Sequence, residues 1–200
     1  MFSAQMGADI RERVRLLQAL RHAVESERLF VVYQPQVNLV SGQLVGVEAL
    51  IRWRNEDGSF VPPDRFIPLA EASGMIVAIG DWVLRVSCME LSRLQALGMP
   101  DLRMSVNVSQ IQFRHPGFLD KLRSALSDTG INPKCLELEI TESVAMDDPD
   151  FMLETLHKVR KMDISIAIDD FGTGYSSLSH LRQLPIDRLK IDRAFVSELN

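Results

Sequence analysis

The sequence predicts an α/β fold built as a β/α barrel, and three observations point there. After an opening strand pair, strand-like and helical segments alternate along the chain, the pattern of parallel strands joined by helical crossovers. Within those strands one parity is apolar while the other is small, polar or charged. A doubly wound sheet is buried on both faces and its strands read as almost continuously apolar. A barrel strand instead turns one face to the helix ring and the other inward, with reactive groups at its C-terminal rim. Third, 200 residues of which 46% are hydrophobic can bury a sizeable core, and that length suits one domain.

Each element has its own signal. Asp9 with Glu12 reads as a capping box, and Ile10, Val14, Leu17, Leu20 and Val24 follow at helical spacing. "LFVVYQPQVNL", the turn "VSGQ" and "LVGVEALIRW" read as an antiparallel hairpin. "PPDRFIPLAEASG" opens on prolines and closes on Gly74, as a short helix does. A longer helix carries Ile79, Val83, Val86, Leu94 and Leu97 and stops at Gly98. Then come strand "RMSVNVS", a helix around Phe118 to Leu126, strand "CLELEIT" and helix "DPDFMLETLHKVRKM". Strand "ISIAIDD", helix "SSLSHLRQLP" and strand "RLKID" complete the series.

Composition narrows the function. A net charge of −5 disfavours a nucleic-acid polymer as partner, which would call for a basic face. No stretch is apolar for long enough to span a bilayer, and the N-terminus lacks a signal-peptide pattern. Cys88 and Cys135 are far apart and read as reduced thiols in or near a core. With His22, His115, His157 and His180 equally scattered, a zinc-type site is disfavoured.

The inward parity assembles a site. Glu48, Asn107, Glu139, Asp169 and Lys190 lie on five different strands, each on the face opposite the apolar one. Taken singly, each has an ordinary explanation: a solvated edge glutamate, turn chemistry at Asn107 and Ser109, a surface lysine. Asp169 and Asp170 could bond loop amides beside Gly172 and Gly174. Five strand ends of one parity are hard to obtain by accident. Converging carboxylates repel by about 4 kcal/mol per close pair at an effective dielectric near 20. Divalent cations relieve that, and all-oxygen ligands suit Mg²⁺ or Mn²⁺. A pair of such ions serves in-line displacement at phosphorus. "DFG" at Asp170 to Gly172 lacks the other kinase elements, and "GTGYSS" is neither GxGxxG nor a P-loop.

Taken together, "VEALIRW" (Val47 to Trp53), "NVS" (Asn107 to Ser109), "ELEITES" (Glu137 to Ser143), "DDFGTGYSSLSHL" and "PIDRLKID" resemble, in order, the motifs of EAL domains, bacterial phosphodiesterases for cyclic di-GMP. The similarity runs from about Leu29 to the end of the chain. It implies a TIM-like barrel with an antiparallel first strand, hydrolysis of cyclic di-GMP to linear pGpG, and two Mg²⁺ or Mn²⁺ ions. By motif match, Glu48, Asn107, Glu139, Asp169 and Asp170 are the metal ligands. Lys190 orients the attacking water, Gln34 and Arg52 contact substrate, and Glu142 holds the DDFGTG loop. Glu48, Asp169 and Lys190 are the residues expected to be catalytic.

Residues 1–28 resemble the helical connector that follows a GGDEF or sensor domain, with 29–200 the EAL domain. A cytoplasmic location, in a parent that other segments could anchor to a membrane, and a homodimer formed through the EAL domain are further expectations. The resemblance makes "LKID" the sixth of eight strands. The family's seventh-strand glutamate motif, near "AEGVE", and a later glutamine do not occur here. The sheet is therefore expected to be truncated after about the sixth strand, and the fragment to be defective in hydrolysis. A catalytically silent module that binds cyclic di-GMP and relays its occupancy to a partner is the alternative function.

Overall fold

The computed structural model describes residues 4–172 and 183–192. Helix α1 (Ala4–Glu25) leads into the hairpin β1 (Leu29–Val37) and β2 (Leu44–Arg54), and a two-residue strand β3 (Phe60–Val61) follows. Then come α2 (Pro63–Ala72), α3 (Met75–Ala96), β4 (Arg103–Asn107), α4 (Gln110–Arg114) and α5 (Phe118–Thr129). The chain continues through β5 (Leu136–Thr141), α6 (Glu142–Met146), α7 (Pro149–Arg160), β6 (Ser165–Phe171) and β7 (Arg188–Ile191).

The strands lie side by side in the order β1-β2-β4-β5-β6-β7, with β3 paired to the end of β2. β1 runs antiparallel to β2, and each later pair on this path is parallel. Apart from β3, each strand neighbours the next in sequence and the order never reverses. A doubly wound sheet would show a switch point, so this is the winding of a barrel. β1 and β7 are the two edges of the described sheet, which is open.

Burial bears out the strand parity on β4, β5 and β6, but on β7 the apolar parity, Leu189 and Ile191, is exposed at the open edge of the described sheet, and Val45 at the start of β2 is exposed as well. Met104, Val106, Leu136, Leu138, Ile140, Ile164, Ile166 and Ile168 all lie in one core cluster with helix residues such as Leu91, Leu122 and Leu156. Trp53, next to Arg52 on β2, meets Phe66 of α2 edge-on with centroids 5.6 Å apart, locking the outer face of β2 under that helix. Asn38 shapes the hairpin turn: its Oδ1 accepts from the backbone N–H groups of Val40 and Ser41, both at 2.9 Å. Helix α3 ends where expected, with Gly98 at φ 99°, a left-handed position that glycine takes without a Cβ clash.

Several local expectations are corrected. Helix α1 begins at Ala4, so Asp9 lies inside it and is not its N-cap. The hairpin turn is wider than "VSGQ", because β1 already ends at Val37. The helix expected over "SSLSHLRQLP" falls largely outside the described residues. β3, α4 and α6 were not anticipated. Both cysteines are buried free thiols, as expected. Among the described residues no helix is long and apolar enough to cross a membrane.

Candidate active site

The inner face of the sheet carries a compact ionic cluster. Glu48 from the middle of β2, Glu139 from β5 and Asp169 from β6 place carboxylate oxygens within 4.8 Å of one another. Lys190 of β7 sits among them, its Nζ donating to Glu139 Oε2 at 2.6 Å and to Glu48 Oε2 and Asp169 Oδ2 at 3.0 Å. Asn107, at the end of β4, donates from Nδ2 to Glu48 Oε1 at 3.0 Å, leaving its Oδ1 as an acceptor atom. The five residues whose parity pointed inward are thus brought together.

A β-bulge shapes the β6 side of the site. Ile168 pairs with Leu189 and Phe171 with Ile191, so Asp169 and Asp170 together oppose Lys190. Bulges of two residues against one re-aim side chains and recur beside active sites. Asp170 takes φ 52°, a left-handed conformation that aspartate tolerates better than most residues. Its N–H donates to Asp169 Oδ1 at 3.0 Å. The Asp170 carboxyl lies outside the three-carboxylate cluster and is raised above its ordinary pKa by burial and by nearby Asp169 and Asp192.

The electrostatics are lopsided. Burial, against the pull of the hydrogen bond from Lys190 and with the help of nearby Glu48 and Asp169, pushes Glu139 up to about 7. Burial alone would lower Lys190, yet its bonds to Glu139 and Glu48 hold it above the usual lysine range. One ammonium faces three carboxylates, so negative charge is left over. Glu139 Oε1 is buried and has no hydrogen-bond partner among the described residues. An orphaned buried carboxylate oxygen calls for a missing partner, and this donor set of carboxylates plus one amide oxygen is hard and anionic. It fits a divalent cation of the Mg²⁺ or Mn²⁺ type.

The remaining predicted residues lie around this centre. Gln34 is exposed on β1, directly opposite Glu48 in the strand register. Arg52 lies four residues beyond Glu48 on β2 and donates to the Ile51 carbonyl at 2.9 Å; neither residue joins the ionic cluster. Glu142 is buried in the first turn of α6, and its Oε2 accepts from the Gly172 N–H at 2.7 Å. That bond ties the start of α6, just after β5, to Gly172 just past the end of β6. A cavity of about 290 Å³ opens beside the cluster, with Arg52, Asn107, Glu139 and Thr141 among its walls. A larger cavity of about 540 Å³ lies against α1, near Trp53 and Arg65, away from the carboxylates.

Three features escaped sequence reasoning. Asp192 adjoins Asp170, although its parity with Lys190 was visible. Ser109 and Gln112 form a full capping box at the start of α4, a pattern legible as S-x-x-Q. Beneath the carboxylates, Glu137 gathers Ser105, Arg103 and Arg188.

The EAL domain family model matches residues 17–200. MucR of Pseudomonas aeruginosa, a bifunctional diguanylate cyclase/cyclic di-GMP phosphodiesterase, is 44% identical over 198 residues, which cover 99% of this chain and 29% of MucR. The cyclic di-GMP phosphodiesterase NbdA of the same organism is 40% identical over 99% of this chain and 25% of its own length. The chain therefore spans under a third of either relative. A solved structure of the PaMucR phosphodiesterase in complex with c-di-GMP superposes with a TM-score of 0.89 at 45% identity, covering 92% of this chain and 75% of that one. By the family model, by these relatives and by the strand order described above, the chain belongs to the EAL domain family.

Proposed function

We propose that this domain hydrolyses cyclic di-GMP to linear pGpG with the help of two Mg²⁺ or Mn²⁺ ions. The observation that carries the reading is the convergence of Glu48, Glu139 and Asp169 on one point, with Glu139 Oε1 buried and unpartnered. Membership of the EAL family and the cyclic nucleotide bound by the MucR phosphodiesterase support the choice of substrate.

In this proposal Glu48, Glu139, Asp169 and the Asn107 Oδ1 hold one ion, and Asp170, brought alongside by the bulge, helps hold a second. Bound there, the ions would activate water and offset charge on the phosphodiester oxygens. Lys190 is the chain's own cation at the site. Released from part of its carboxylate contact, its ammonium would hold the attacking water and offset charge developing on phosphorus oxygens. Arg52 can grip a phosphate through its planar fork, and Gln34, across from Glu48, can reach a guanine or ribose edge. Glu142 acts one step back, keeping the loop beyond Asp170 in place through Gly172.

The proposal extends to the domain plan. Residues 1–28, largely the helix α1, serve as a connector from an upstream GGDEF or sensor domain, and 29–200 form the hydrolytic domain. MucR, bifunctional by its name, supports that plan. The parent acts in the cytoplasm, where buried free thiols such as Cys88 persist reduced, and pairs as a homodimer through this domain. The test is product analysis of cyclic di-GMP incubated with the full-length protein and Mg²⁺. Linear pGpG supports hydrolysis; tight binding without product would establish the binding-only role instead.

A further inference from the structure

Below the carboxylate cluster lies a second polar layer that the proposed chemistry does not use. Glu137 is 1% exposed and sits two residues before Glu139 on the same face of β5, so the two side chains leave the strand roughly 7 Å apart. Its Oε1 accepts from Ser105 Oγ at 2.9 Å and from Arg188 Nη1 at 3.3 Å, and Arg103 Nε stands 3.5 Å away. The strands repeat the arrangement. Ser105 and Asn107 alternate on β4, Glu137 and Glu139 on β5, Arg188 and Lys190 on β7, so each contributes one residue to this floor and one to the site above.

The floor is not neutral: one carboxylate faces two guanidiniums. Its hydrogen bonding is incomplete as well, since Glu137 Oε2 and Arg103 Nε are buried without a hydrogen bond among the described residues, Arg103 Nε keeping only its ion pair with Glu137. What Glu137 supplies is charge, and the layers are close enough to feel each other. Burial holds Arg103 below the usual arginine range, and Glu139 of the upper layer, with Glu137, pulls it back up.

We infer that Glu137 is a positioning residue for the cation site: by cancelling one of the two floor arginines, its negative charge sets how strongly Glu48, Glu139 and Asp169 hold a divalent ion. This rests on the proposed metal-dependent reading of the cluster. Replacing Glu137 by glutamine keeps its size and its bond from Ser105 but adds one unit of positive charge beneath the site. Removing Arg188 or Arg103 as well returns the floor to its original net charge, although the ion pair is gone. A purely structural role predicts the opposite order, with each lost ion-pair partner adding damage.

The experiment is calorimetric titration of Mn²⁺ into the full-length protein without nucleotide, with a thermal melt of every variant. Glu137→Gln should weaken Mn²⁺ binding at least about tenfold. Both Glu137→Gln/Arg188→Gln and Glu137→Gln/Arg103→Gln should return to within about twofold of wild type. If Glu137→Gln alone folds poorly, the triple variant with both arginines replaced keeps the inference testable. Its floor is uncharged, and it should bind Mn²⁺ more tightly than wild type. Double variants as weak as the single one, or a triple variant weaker than wild type, would overturn the inference. Wild-type protein that binds no Mn²⁺ would instead overturn the metal-dependent reading on which it rests.

Discussion

Lys190 Nζ lies 2.6 Å from Glu139 Oε2, bringing a cation from β7 onto the most buried carboxylate of the cluster. The two residues are 51 positions apart, and the β-strand winding makes them neighbours. The ammonium offsets part of a repulsion worth about 4 kcal/mol for each close carboxylate pair. It cannot offset all of it.

Lys190→Met should therefore reveal the imbalance. Without the ammonium, three carboxylates crowd one point, and breaking a mostly buried ion pair costs about 3 kcal/mol. Melting of the full-length protein should move to lower temperature in EDTA, and Mn²⁺ should recover more of the loss than it adds to wild type. Hydrolysis should fall at least about a hundredfold even where Mn²⁺ restores stability. Unchanged turnover would remove Lys190 from the chemistry.

Glu142→Ala should harm activity more than stability. Its carboxylate accepts the Gly172 N–H beyond the bulge, so its loss frees the end of β6 rather than opening the main core. A cost of about 1–3 kcal/mol is expected from the unpaired amide and the vacated space. Activity per folded molecule should drop about tenfold or more, following misplacement of Asp169 and Asp170. A large fall in melting temperature with full specific activity would reverse the assignment.

Gly80→Ala offers a sign test. Helix propensity alone favours alanine by up to about 1 kcal/mol. At Gly80, however, an added Cβ would overlap the side-chain amide of Gln112, and Gln112 is buried in the capping box that starts α4 just after Asn107. The variant should be destabilised by about 1–3 kcal/mol in urea denaturation. A stabilised variant would show that the Gln112 side chain can swing away at no cost.

Ca²⁺ should support hydrolysis poorly or inhibit it. Calcium prefers oxygen distances of about 2.3–2.6 Å and irregular geometry, against about 2.0–2.1 Å for magnesium. Carboxylates already confined within 4.8 Å of one another would place its bound water differently. Comparable rates with both ions would contradict a tight ion site.

The legible and illegible parts of this molecule differ in physical kind. Period-two alternation in "LELEIT" and "ISIAI" was readable because one face must be buried under helices, and Leu138 and Ile166 are indeed fully buried. The same parity rule placed Glu48, Asn107, Glu139, Asp169 and Lys190 on one face before any contact was known. It could not show how Asp170, one residue on from Asp169, comes to oppose Lys190 as well. That depends on a bulge created by pairing with β7, which no local pattern encodes. β3, with two residues, and α4 and α6, with five each, are shorter than the windows over which periodicity can be read. Asp9 and Glu12 misled because the same three-residue spacing of polar side chains also recurs within helices, and α1 begins at Ala4. Glu137 shares the parity of Glu139, but its two arginine partners come from β4 and β7 and only the fold brings them together.

The central claim is that the carboxylate cluster holds divalent ions for phosphodiester hydrolysis. Its most direct test is chromatographic product analysis of cyclic di-GMP with the full-length protein, comparing wild type, Glu48→Ala and Asp169→Ala in Mg²⁺, Mn²⁺ and EDTA. The account predicts linear pGpG from wild type with either ion, none in EDTA, and a loss of at least about a thousandfold in both variants. Product formed in EDTA, or variants within a few-fold of wild type, would contradict it.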